Sequence, residues 1–286
     1  MKKITQHIIS FLKGLLIGGT MMVPGASGGT MAIILGIYDR LVHAVSSFMK
    51  NKRENFLFLL IFAAGGALGA FLFANPLLKL IERYPMPMLY FFMGAVLGGI
   101  PLLIKQSQVK KFTWKIPVYI LIGAAVVVLF ALIPTGTFQF NADSGIDTYL
   151  YLGVAGFVAA VALVLPGISV SYLLLMMGLY DTTMQAISQL QFSFLIPLGI
   201  GLILGVLLTT KVLEKAMTRY PQATYLIILG FVFGSIAEIF PGIPKWPEIL
   251  LCIVTLAAGF LIIQLLARKE AKKTASPVPP DSAEVS

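Results

Sequence analysis

Residues 24–39 read Pro-Gly-Ala-Ser-Gly-Gly-Thr-Met-Ala-Ile-Ile-Leu-Gly-Ile-Tyr-Asp, and residues 166–181 read Pro-Gly-Ile-Ser-Val-Ser-Tyr-Leu-Leu-Leu-Met-Met-Gly-Leu-Tyr-Asp. The offset is a constant 142 (166 − 24) without a gap, and the match runs on from Ala44-Val45-Ser46 to Ala186-Ile187-Ser188. Further along, Arg83-Tyr84-Pro85 is answered by Arg219-Tyr220-Pro221, Gly65/Gly69 by Gly201/Gly205, and Gly94/Gly98 by Gly230/Gly234. Self-similarity in one order over so long a span marks an internal duplication. The chain divides into a first repeat over 1–134, an extracytoplasmic connection over 135–147, a second repeat over 148–267 and a disordered cytoplasmic tail over 268–286.

Composition says what medium the repeats live in. Hydrophobic residues make up 58% of the chain and charged residues 12%, against about 25% charged in a soluble domain. The apolar stretches run close to the ~20 residues that cross hydrocarbon, and the 27 glycines suit closely packed membrane helices. The net charge of +9 sits in short loops between apolar segments, so it points to membrane orientation and not to nucleic acid. Lys2 and Lys3 before an apolar run resemble a secretory signal peptide; the recurrence of the same stretch in mid-chain argues against that. Cys252 is the single cysteine, reads as a packing residue, and has no partner for an intramolecular disulfide.

Each repeat has the same parts. An apolar run (7–23, then 148–165) meets Pro-Gly, which breaks the helix because proline lacks the N–H and glycine tolerates unusual dihedrals. A second helical run follows (27–48, then 169–190), and the broken pair, re-entrant or fully spanning, returns to its starting side. Three long apolar segments come next: 55–78, 87–104 and 116–133, then 192–213, 223–240 and 248–267. An odd number of crossings per repeat makes the two repeats inverted. The fold expected is therefore an all-α polytopic membrane protein of two inverted-topology repeats, each a broken or re-entrant helix pair followed by three transmembrane helices. Placing both termini in the cytoplasm puts Lys50, Lys52, Arg53, Lys105, Lys110, Lys111, Lys115, Lys211, Lys215 and Arg219 inside, as the positive-inside rule asks. Lys79 and Arg83 are the misfits.

In such folds substrates bind near the midplane at broken helices. The second arms begin at Ser27-Gly28-Gly29-Thr30 and at Ser169-Val170-Ser171, where free N–H groups and the positive end of the dipole favour phosphate or carboxylate. Ser27 and Ser169 read as N-caps that can also donate to an anion. Alternatively these residues only cap a helix and let its neighbours pack. Lys13 and Arg40 are candidate counter-charges, since a charge at mid-bilayer costs roughly 2.5–3.5 kcal/mol and needs a reason. Asp39 and Glu238 are candidates for proton coupling; Asp181 repeats Asp39 but reads as an interfacial residue. The glycine pairs read as helix packing. No Walker sequence or zinc ligand set occurs, His7 and His43 form no metal pair, and neither metal nor cofactor is expected.

The segments Val23-Pro24-Gly25-Ala26-Ser27-Gly28-Gly29-Thr30 and Gly36-Ile37-Tyr38-Asp39, with Leu165-Pro166-Gly167-Ile168-Ser169, resemble the bacterial PopT-type undecaprenyl phosphate translocases over nearly the whole chain up to the tail. The resemblance implies a transporter of the bacterial cytoplasmic membrane that returns the C55 carrier undecaprenyl phosphate from the outer to the inner leaflet during envelope synthesis. The second repeat departs from the Gly-Gly-Thr pattern with Val170-Ser171-Tyr172, so the half-sites are not equivalent. Membrane lipids and a coupling H+ or Na+ are the expected partners, nucleic acid is not, and the sequence leaves the oligomeric state open. The rival reading is an ion-coupled transporter or channel for small anions. A polyprenyl pyrophosphate phosphatase would need clustered acids, arginines and a nucleophile or metal at membrane depth, and five arginines spread over the chain provide no such cluster.

Overall fold

The structure, a computed structural model, describes residues 2–21, 27–134 and 145–274. Pro24-Gly25, most of the connection 135–147 and the end of the tail lie outside the described residues. The helices are α1 (Lys2–Thr20), α2 (Gly28–Ile34), α3 (Tyr38–Ser46), α4 (Lys52–Arg83), α5 (Pro85–Gln106), α6 (Lys115–Ala131), α7 (Ile146–Val164), α8 (Val170–Met176), α9 (Tyr180–Ser188), α10 (Phe192–Arg219), α11 (Pro221–Ile239) and α12 (Glu248–Thr274). The described residues form no strand. Five helices are long and apolar enough to cross a membrane, and α6 and much of α11 are shorter apolar helices. Their outward faces carry residues such as Phe71, Val212 and Leu121, 82%, 70% and 66% exposed, which water would penalise and lipid accepts.

One expectation is corrected. The second helical run of each repeat is two helices, not one. α2 ends in Gly36 (φ 63°) and α8 in Gly178 (φ 66°). Ile37 N–H reaches Ala32 O at 2.9 Å and Gly36 N–H reaches Ile33 O at 2.9 Å; Leu179 to Leu174 and Gly178 to Leu175 repeat this at 2.8 and 3.0 Å. This is the Schellman pattern, which needs a left-handed residue after the helix and an apolar one behind it. Ile37 and Leu179 are that apolar residue, 3% and 0% exposed. Gly-Ile-Tyr-Asp and Gly-Leu-Tyr-Asp are therefore joints between helices.

Glycine seams hold the long helices. A Cβ on Gly14 would stand 2.3 Å from Phe62 O, and one on Gly18 would stand 1.9 Å from Gly66 O, so α1 and α4 touch backbone to backbone and run parallel. The same holds for α7 with α10 (Gly201 on Gly153, Gly156 on Leu198), α5 with α12 (Gly94 on Leu256, Gly259 on Phe91) and α6 with α11 (Gly123 on Ile227, Gly230 on Ile120). Without a hydrophobic drive between helices in lipid, such close approach supplies the packing energy. Because α1 and α4 are parallel, α2 and α3 carry the chain back to the end from which α1 set out.

Two features of this packing position the site. The last helix of each repeat packs on the other repeat, α12 on α5 and α6 on α11, so the repeats are interleaved. α5 and α11 run antiparallel: Tyr90 at the start of α5 bonds Gly242 O beyond α11, while Gln106 and Tyr225, at the far ends, both hold Asp39. Proline at the first position of α5 and α11, where the N–H is not needed, makes the tight turns that feed these pairs.

Candidate functional site

The start of α2 meets the break that follows α7. A Cβ on Gly29 would stand 3.1 Å from Pro166 Cα and 3.2 Å from Pro166 N. Tyr38 ties the same junction: its buried hydroxyl donates to Val164 O at 2.8 Å, a carbonyl in the last turn of α7 that the proline break leaves short of partners. α2 is thereby wedged into the middle of the molecule, with every residue but Gly28 buried.

Ser27 takes the extended N-cap conformation (φ −82°, ψ 129°), yet its side chain makes no capping bond. Thr30 is 3% exposed, and its hydroxyl has no hydrogen-bond partner. An unpaired buried hydroxyl costs about 1–3 kcal/mol. With Ser235 of α11, Phe92 and Val96 of α5, and Ile239, these residues enclose a gap of about 10 Å³, room for roughly one water. On the other side of α2 lies a cleft of about 230 Å³, lined by Ile17, Met21, Gly28, Gly29, Val42, Phe62 and Val206 among others. Its walls are almost wholly apolar, since the Tyr38 hydroxyl and Thr210 Oγ1 are spent on backbone carbonyls. The cleft opens between the α1/α4 pair and the α7/α10 pair.

The second half-site differs. Ser169 Oγ accepts from Tyr172 N–H at 3.3 Å, an ordinary cap. Tyr172, at the place of Thr30, donates to Ile133 O at 2.6 Å, with Ala131 O at 3.1 Å. Ser171, at the place of Gly29, is exposed. Its polar groups are satisfied or turned outward, whereas those of the first half-site are buried and unspent.

The candidate charges are not gathered around Thr30. Arg40 lays its guanidinium 4.2 Å over the Phe58 ring of α4, a cation–π contact. Asp39 accepts from Gln106 Nε2 at 3.0 Å and from the Tyr225 hydroxyl. Gln106 is ten residues along α5 from Val96, roughly 15 Å of helix, so Asp39 and Arg40 lie at a different depth from the Thr30 gap. Lys13, half-buried, is one turn from the cleft residue Ile17 on the same helical face. Asp181 is exposed. Glu238 lies near the end of α11, and its side chain is outside the described residues. No group of His, Cys, Asp or Glu able to hold a metal occurs among the described residues.

A cluster that sequence reasoning missed joins the repeats. Glu214 of α10 meets His43 Nδ1 of α3 through Oε1, while its Oε2 accepts from Ser46 Oγ at 2.5 Å and from Ser47 Oγ at 3.5 Å. Lys50 adds its charge nearby. A lone acid in the basic stretch 211–219 was the available signal.

A family profile described as undecaprenyl phosphate translocase-like matches residues 17–251. The chain belongs to that family. This translocase-like chain is 33% identical over 273 residues to a protein named polyprenyl-phosphate transporter from Staphylococcus aureus, covering 91% of this chain and 96% of that one. It is 29% identical over 268 residues to another of that name from Vibrio cholerae, covering 87% and 81%. No solved structure matches it. The profile takes in α2 and α8 with both Pro-Gly breaks, the elements that hold the candidate site residues.

Proposed function

We propose that this chain carries undecaprenyl phosphate from the outer to the inner leaflet of the bacterial cytoplasmic membrane, and that its phosphate binds at Ser27-Gly28-Gly29-Thr30. The observation that carries the reading is the unpartnered Thr30 hydroxyl, buried at the start of α2 beside a water-sized gap, with an apolar cleft on the other side of the helix. A buried donor kept at a stability cost is what a transient anion site requires. An apolar cleft open toward lipid suits a prenyl tail and gives nothing to a small soluble anion. The names of the two relatives fit this substrate class.

Lys13, one turn along α1 from the cleft residue Ile17, serves as counter-charge in preference to Arg40, which lies over Phe58 at a different depth. Asp39 is the acid retained for coupling. Ser169 and Ser171 enter when α8 takes the place α2 holds here. The antiparallel run of α5 and α11 supports an inverted topology, with the basic ends of α3, α5 and α10 in the cytoplasm. Interleaving bars whole repeats from separating, so the moving units are the α1/α4 and α7/α10 pairs on a frame of α5, α6, α11 and α12.

The test is leaflet exchange of undecaprenyl phosphate in proteoliposomes, read by a non-permeant headgroup probe. Native exchange that falls at least tenfold in Thr30→Val supports the site. Movement of inorganic phosphate or chloride without lipid exchange favours the small-anion transporter.

A further inference from the structure

The repeats match in sequence but not in pose. α3 packs on α10 of the other repeat, while its counterpart α9 makes no such seam with α4. α2 packs on α5 and α7, while α8 makes no seam with α11 or α1. The core shows the same split. Val42 and Ala44 of α3 share the main core with Leu213 and Met217 of α10. Leu179 and Ala186 belong to a separate cluster within their own pair, with Leu152 and Phe194.

We infer that Glu214 with His43 and Ser46 is a latch holding the protein sealed on the side of α3, and that the opposite state arises when α3 leaves α10 and α9 docks on α4. The inference rests on the alternating-access reading above. Two copies of one unit, inverted about a shared frame, can exchange poses; the exchanged arrangement seals the other side. The latch joins the repeats at the end of α3, where Ser46 Oγ and the His43 ring both bind the Glu214 carboxylate and Ser47 lies 3.5 Å away. Lys50 is the charged group facing it from the α3–α4 turn, and Thr218 Oγ1 donates to the Glu214 backbone carbonyl.

The mirror positions cannot make it. His43 corresponds to Gln185 and Ser46 to Ser188 at the offset of 142, while Glu214 corresponds to Leu78 at the offset of 136 set by Arg83 and Arg219 (219 − 83). Serine is kept, but imidazole and carboxylate are absent. One pose therefore carries a charge-assisted tie and the other none, and the resting population favours the state sealed at α3.

The experiment uses the full chain with Cys252→Ala and a single reporter, Val42→Cys, which lines the cleft and is 4% exposed here. A membrane-impermeant maleimide is applied from the cytoplasmic side of inverted vesicles. Labelling is expected to rise about tenfold in Glu214→Ala. It should also rise when the tie is duplicated at the mirror site by Gln185→His with Leu78→Glu, leaving Glu214 in place. The second variant guards against loss of folding in the first. Unchanged labelling in both variants overturns the latch. Lipid exchange by the parent chain is measured alongside: exchange with unchanged labelling refutes the latch alone, and absence of exchange refutes the transport reading.

Discussion

Gly29 of the first repeat lies against Pro166 of the second, close enough that a Cβ on the glycine would stand 3.1 Å from the proline Cα. The start of α2 and the Pro166 break after α7 are one junction in space. A methyl at Gly29 meets backbone, which yields little. Gly29→Ala is expected to cost about 1 kcal/mol, and Gly29→Leu to reach the 1–3 kcal/mol or more of an overpacked core. Thermal unfolding in detergent reads this, and an unchanged midpoint for Gly29→Leu would show that the junction is loose.

Thr30→Val separates binding from stability. Removing an unpartnered buried hydroxyl while keeping shape leaves the melting midpoint unchanged or raised, yet lipid exchange should fall at least tenfold. A variant that melts earlier and exchanges normally would make Thr30 a structural residue.

Gly36 and Gly178 occupy the left-handed region in equivalent joints. Replacing either by alanine is expected to cost about 1 kcal/mol, to a similar degree in each repeat. A cost in one alone would mean that the joints are not equivalent in the membrane.

Tyr38→Phe deprives Val164 O of its donor inside the core and should destabilise by about 1–3 kcal/mol. The check is denaturation of the variant beside the native chain; equal stability would mean that water replaces the hydroxyl.

For the counter-charge, Lys13→Gln should reduce lipid exchange more than Arg40→Gln. Arg40→Gln should instead lower stability by the 0.5–2 kcal/mol of a cation–π contact. Equal exchange rates for both variants would remove Lys13 from the site.

The long helices were legible because apolar length and glycine spacing are local signals: Gly65/Gly69 and Gly201/Gly205 do lie in the α1/α4 and α7/α10 seams. The joint at Gly36 was misread as helix interior, although a glycine followed by an apolar residue is the Schellman signature. The inequality of the half-sites could be read from Val170-Ser171-Tyr172, but its cause could not. That cause is Tyr172 spending its hydroxyl on the end of α6, a tertiary contact. The partners of α6 and α12 were also out of reach, since a glycine face states that something packs there and not what. Glu214 escaped notice because its meaning lies in His43 and Ser46, over 160 residues away.

The crossed pairing of α12 with α5 and of α6 with α11 has a consequence for biogenesis. α5 leaves the ribosome early but finds its glycine partner only when α12, near the end of the chain, has been inserted. Until then its seam faces lipid or the insertion machinery, so the final helix completes a structure begun near the first.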